Sequence, residues 1–134
     1  MTDFNLRALQ KNEDGTQYFQ YLIGYWGTGF DIFFSDLEEG VLEKNTLGRF
    51  TGLKDKNDKD IYEGDIIEIN HPDHGTYTET VIFKYGCFCS TGGVSIFDHI
   101  WYNYGDDSQE NLATVVGNIH ENPNLLTLDN FLNE

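Results

Sequence analysis

Cys87, Cys89, His71, His74 and His99 are the side chains with the strongest claim on a metal ion. Structural zinc sites take four ligands and supply their cysteines two to four residues apart across a turn. Cys87 and Cys89 are separated by one residue, which places both on one face of a strand rather than around an ion. They are expected to be a buried, reduced pair, and His71 and His74, on either side of Pro72-Asp73, to be hairpin-loop residues. Asp55, Asn57, Lys59 and Glu63 alternate as the oxygen ligands of a calcium loop do. That loop fails because Lys59 brings a cation to a ligand position, Asp60 replaces the turn glycine and Ile66 occupies the place of the closing glutamate.

Phe97 to Asp107 is the richest stretch chemically, holding Asp98, His99, Trp101, Tyr102, Tyr104, Asp106 and Asp107. Carboxylates beside an imidazole are the material of acid–base catalysis, but no nucleophile or fixed partner accompanies them here. Aromatic side chains are common anchors of protein interfaces, so His99, Trp101, Tyr102 and Tyr104 are read as a partner-binding patch. Neither a Walker loop nor a dinucleotide fingerprint occurs. The expectation is a protein that is no enzyme and holds no metal and no cofactor.

The elements that must position these residues are mainly strands, because glycines punctuate alternating side chains and prolines number only 2. Tyr77 to Tyr85 alternates Tyr77, Glu79, Val81, Phe83 and Tyr85 against Thr78, Thr80, Ile82 and Lys84. Ile66 to Asn70 precedes it across His71-Pro72-Asp73-His74-Gly75, which has turn chemistry, so the two are expected to form an antiparallel hairpin. Gln17 to Ile23 and Phe30 to Phe34 read as aromatic-rich strands, with a weak capping box at Ser35-Asp36-Leu37-Glu38. Thr114 to Ile119 reads as a strand. Asn122-Pro123 then has the form of an N-cap and first helical residue, with Leu125, Leu128, Phe131 and Leu132 at near-helical spacing behind it. A mild composition shift at Glu43-Lys44-Asn45 marks a subdomain seam.

The sequence has 134 residues, 23 acidic against 8 basic, for a formal net charge of −15. Such a chain can bury a core as a single domain, and its 10 Phe, 8 Tyr and 2 Trp supply the apolar area that disordered chains lack. Direct nucleic-acid binding and binding to anionic membranes are excluded as expectations, since both draw their affinity from Lys and Arg. Basic protein surfaces remain as partners, as do small ligands or cations in a local pocket. Neither a signal segment nor a bilayer-length apolar run is visible, which suits a cytoplasmic protein, as does the scarcity of cysteine.

The run from Thr51 to Ile67, carrying Thr51, Gly52, Leu53, Asp55, Asn57, Ile61, Tyr62, Gly64 and Asp65, resembles the signature of the YopX family of phage and prophage proteins. A second block, Val115 to Leu126 with Gly117, Asn118 and Pro123, is similar to the C-terminal pattern of that family. The resemblance implies a mainly β fold with an SH3-like barrel, and no established biochemical activity. It places a barrel at 46–122, a β-rich N-terminal extension at 1–45 and a helical tail at 123–134. Asp58 departs from the pattern, which carries glycine there; after Asn57 a glycine would suit a type I′ turn. The signature residues are read as structural. What remains is an accessory protein acting on a host or phage protein or assembling as a homo-oligomer. The two rival readings are an acidic nucleic-acid mimic that blocks a host DNA-binding protein, and a barrel that binds a small ligand or metal.

Overall fold

In a computed structural model, residues 4–24 and 28–125 are described. The chain is mainly β and divides into two compact units, Met1–Phe50 and Thr51–Glu134.

The N-terminal unit is built on a hairpin of β1 (Phe4–Lys11) and β2 (Gln17–Gly24), eight residues each, paired antiparallel throughout. Asn12 to Thr16 turns the chain: Gly15 N–H donates to the Asn12 carbonyl at 3.0 Å, and Gly15 has φ +89°. Helix α1 (Thr28–Glu39) follows. It stands where the sequence reading had a strand at Phe30–Phe34, and it takes in Ser35 to Glu38 as helical interior rather than as a cap. The reason lies one turn on: Phe33 and Leu37, four residues apart, are both buried with Ala8, Leu22 and Leu42, so a helical stripe buries more than a five-residue strand could. A 3-10 turn at Lys44–Thr46 is anchored by Thr46, whose hydroxyl accepts from Leu9 N–H at 2.8 Å and donates to the Glu43 carbonyl. Arg7 is buried, with its guanidinium 4.2 Å from the centre of the Phe19 ring.

Strand β3 (Gly48–Lys54) begins against β1, pairing Gly48 with Arg7. In the C-terminal unit its last residues lead through a turn to β4 (Asp60–Tyr62). Strand β5 (Asp65–His71) then forms the expected hairpin with β6 (Gly75–Thr80), pairing Ile66 with Thr80 and His71 with Gly75. The long alternating run predicted through Tyr85 breaks at Val81, which is fully buried, and resumes as β7 (Ile82–Lys84) paired with β8 (Cys87–Cys89). A five-residue helix α2 (Ile96–Ile100) leads into β9 (Trp101–Asn103), which pairs with β10 (Gln109–Asn111). Strand β11 (Ala113–Asn118) closes the three-stranded sheet in the order β11-β5-β6, with a bulge between Val115 and Gly117.

One apolar cluster lies inside this unit: Ile61, Ile67, Ile69, Val81, Ile96, Ile100, Leu112 and Ala113. Burying an isoleucine of this size contributes on the order of 2 kcal/mol each, and α2 exists to bring two of them in. The SH3-like barrel remains the implication of the resemblance; the strand pairings show curled antiparallel sheets. Pro123 to Leu125 are helical, and the remainder of the expected tail, 126–134, lies outside the described residues.

Candidate functional site

Two hairpins of the C-terminal unit bring a row of rings together. The β5–β6 turn carries His71, Asp73 and His74, and β9 with its loop carries Tyr102 and Tyr104 two residues apart, hence on one face. The His71 and His74 ring centres are 4.5 Å apart. His71 meets Tyr102 edge to face at 5.3 Å, and Tyr102 meets Tyr104 edge to face at 4.8 Å. Four rings thus stand in unbroken contact, with Tyr104 52% exposed at one end.

Carboxylates tie this row down. The Tyr102 hydroxyl donates to Asp73 Oδ2 at 3.2 Å, and the Tyr104 hydroxyl donates to Glu110, which lies opposite Tyr102 in the β9–β10 register. The negative charge of Asp73 and its hydrogen bond hold the Tyr102 phenol above the ordinary tyrosine range. Tyr104 is raised chiefly by its hydrogen bond to Glu110. His71 Nδ1 accepts the Asp73 N–H at 3.0 Å, which requires that nitrogen unprotonated.

The four residues read from the sequence as one patch therefore separate. Tyr102 and Tyr104 belong to the row of rings. His99 does not: its Nδ1 lies 3.3 Å from the Tyr77 hydroxyl and its Nε2 3.3 Å from Ser90 Oγ. This hydroxyl–imidazole–hydroxyl chain links β6, the residue after β8, and α2. Ser90 is 2% exposed, while Tyr77 and His99 are half-buried, and the chain staples the three segments together. Burial, then the charge of Glu79, raises the Tyr77 phenol. Trp101 packs on the apolar cluster beside Phe97, their ring centres 6.5 Å apart, and its Nε1 has no partner among the described residues.

Both cysteines are free thiols, but they are not a buried pair: Cys87 is exposed and Cys89 buried. They do share a face, and both sulfurs approach the Lys84 carbonyl, at 3.6 and 4.0 Å. Burial pushes the Cys89 thiol up, and Cys87 adds to the rise. Among the described residues no group of three or more His, Cys, Asp or Glu is placed to hold a metal ion, and no helix is long and apolar enough to cross a membrane. In the N-terminal unit a cavity of about 340 Å³ opens between Phe34, Leu37, Glu38, Lys44 and Leu47.

The residues of the two sequence blocks fold the chain on itself. Thr51 donates its hydroxyl to the Ile61 carbonyl at 2.7 Å and accepts from Leu53 N–H, while Gly52 lies between them on β3. Asp55, 5% exposed, accepts the N–H groups of Asn57 at 2.8 Å and Lys59 at 2.9 Å on one oxygen and that of Val115 at 2.9 Å on the other. Asp65 accepts Tyr62 N–H at 2.7 Å. Gly64 N–H donates to Val81 and its carbonyl accepts from Ile119, both backbone. Asn118 accepts from His120 and Glu121 N–H and donates to the Glu121 carboxylate. A Cβ at Gly117 would stand 2.7 Å from Asn122 Oδ1, so this position tolerates only glycine with Asn122-Pro123 folded back over it.

His71, Asp73, His74 and Glu110 complete the site and were missed as members of it. A signal was present in the sequence: from Asp60 to Glu134 there are thirteen carboxylates and a single basic side chain, Lys84, whereas residues 1–59 hold ten acids and seven bases. All of the ring row and its carboxylates fall inside this cation-poor stretch.

The crystal structure of protein EF1440 from Enterococcus faecalis is similar to this chain at 32% sequence identity, covering 93% of this chain and 76% of that one, with a TM-score of 0.48. No curated protein matches. The family model for the YopX protein matches residues 9–127, nearly the whole of both units, and the chain belongs to the YopX family.

Proposed function

We propose that this chain is a non-enzymatic phage- or prophage-encoded accessory protein of the bacterial cytoplasm that works by binding another protein, with the row His74, His71, Tyr102 and Tyr104 as its docking face. The observation that carries this reading is the unbroken contact of the four rings on two hairpin tips. Rigid rings present large contact area at low conformational cost, which is why they dominate interface energetics. Hydrogen bonds from both tyrosines to carboxylates fix their orientation before any partner arrives, and preorganisation of this kind reduces the ordering cost of association.

The test compares what the wild-type chain and the Tyr104→Leu variant retain from a host lysate, with mass spectrometry of the bound proteins. A partner held by the wild type and lost by the variant supports the reading; identical sets overturn it. The thirteen-to-one charge division also favours the mimic reading, in which the acidic stretch occupies the basic groove of a host DNA-binding protein. In that case added duplex DNA competes for the captured protein, and the competition survives Tyr104→Leu.

A further inference from the structure

We propose that the ring row recognises arginine side chains, so that the partner presents a basic, arginine-bearing segment. The inference rests on the docking face assigned above and names what that face takes. The negative faces of aromatic rings attract cations, with tyrosine among the better ones. His71 with Tyr102 and Tyr102 with Tyr104 meet edge to face at 82° and 69°, and among the described residues no parallel neighbour stacks on the tyrosine rings. A guanidinium laid on Tyr104 or Tyr102 would have Glu110 or Asp73 beside it, since each carboxylate is bound to the hydroxyl of one of those rings. One phenolic donor leaves a carboxylate most of its acceptor capacity, enough for the two-pronged bond that a guanidinium makes.

Charge complementarity points the same way. Nothing in Asp60 to Glu134 offers a competing cation except Lys84, and its ammonium lies over the ring of Tyr85 at 5.0 Å. Arginine is favoured over lysine because its planar, weakly hydrated head stacks on rings and forks onto carboxylates, whereas the compact ammonium holds its water more tightly.

The experiment titrates the full chain with a fluorescein-labelled nonapeptide of alternating arginine and glycine and with its lysine counterpart, by fluorescence anisotropy near physiological salt. The arginine peptide should bind about five-fold or more tightly than the lysine peptide. Tyr104→Leu should weaken it about tenfold and Tyr104→Phe, which keeps the ring, no more than about twofold. Glu110→Gln, a change at an exposed strand residue that preserves shape, should weaken it a few-fold. Thermal unfolding of each variant confirms the fold, which half-exposed Tyr104 leaves tolerant of leucine. Equal affinity for the two peptides, or no effect of Tyr104→Leu on the arginine peptide, overturns the inference and leaves only charge attraction. If the arginine peptide fails to bind while Tyr104→Leu still abolishes capture from lysate, the arginine assignment falls and the docking face stands. If neither responds to the variant, both fall.

Discussion

Asp55 shows how a single carboxylate can decide a fold. Nearly buried, it holds two N–H groups of its own turn and a third from β11, sixty residues along the chain. A hydrogen bond to a charged group contributes roughly 1.5–3 kcal/mol, and a donor left buried without a partner costs about 1–3 kcal/mol more. Asp55→Ala removes all three bonds; water can reach the N–H groups of the exposed residues Asn57 and Lys59, whereas Val115 is half-buried, so a loss of about 3 kcal/mol is expected in chemical denaturation. Asp55→Asn keeps an oxygen for Asn57 and Lys59 but turns an amide donor toward Val115 N–H, and should fall between the two. An alanine variant within about 1 kcal/mol of the wild type would remove Asp55 from this role. By contrast the ion pairs of Lys54 with Asp58 and Asp60, at 3.8 and 3.6 Å on the exposed surface, are worth a few tenths of a kcal/mol at most.

Among elements, four of the turns follow one plan that the sequence only half reveals. Asn12–Thr16, Asp55–Lys59 and Ser90–Val94 each close with a bond from the first N–H to the fifth carbonyl and another from the fourth N–H to the first carbonyl. The fourth residue is left-handed in each: Gly15 at φ +89°, Asp58 at +68° and Gly93 at +89°. Tyr104–Ser108 shares the closing bond and has Asp107 at φ +68°. This is a type I turn followed by one left-handed residue, not the type I′ turn expected at Asn57-Asp58, which would need positive φ at both. Aspartate tolerates that conformation at a cost glycine avoids. Asp58→Gly and Asp107→Gly should therefore raise the denaturation midpoint, by up to about 1 kcal/mol of stability each, while Gly15→Ala and Gly93→Ala should lower stability by about 1 kcal/mol or more. A glycine variant that lowers the midpoint would refute the shared plan. The same contrast explains what was legible. The β5–β6 hairpin could be read because Ile66 to Asn70 and Tyr77 to Thr80 carry their own periodicity on either side of a Pro-Asp turn. Helix α1 could not, because Phe30-Asp31-Ile32-Phe33-Phe34 is too short to carry a period of its own and only the burial of Leu37 beside Ala8 and Leu22 selects the helix. The ring row was half legible for a similar reason: Tyr102 and Tyr104 are neighbours in sequence, but His71 reaches them through tertiary pairing alone.

For the whole molecule, the charge of −15 is divided so unevenly that it sets opposite salt responses for folding and for binding. Carboxylates packed into Asp60–Glu134 with one lysine repel one another more strongly in the folded state than in the expanded chain. Screening relieves this, because the Debye length falls from about 30 Å at 0.01 M salt to below about 8 Å above 0.15 M. Raising sodium chloride from about 0.01 to 0.5 M should therefore raise the thermal midpoint. The same change should weaken the arginine peptide, whose attraction to Asp73 and Glu110 is screened alike, though stacking on the rings keeps a residue of affinity. Thermal unfolding and anisotropy across one salt series test both signs together. A midpoint that falls with salt would mean that favourable ion pairs, rather than repulsion, govern the folded surface.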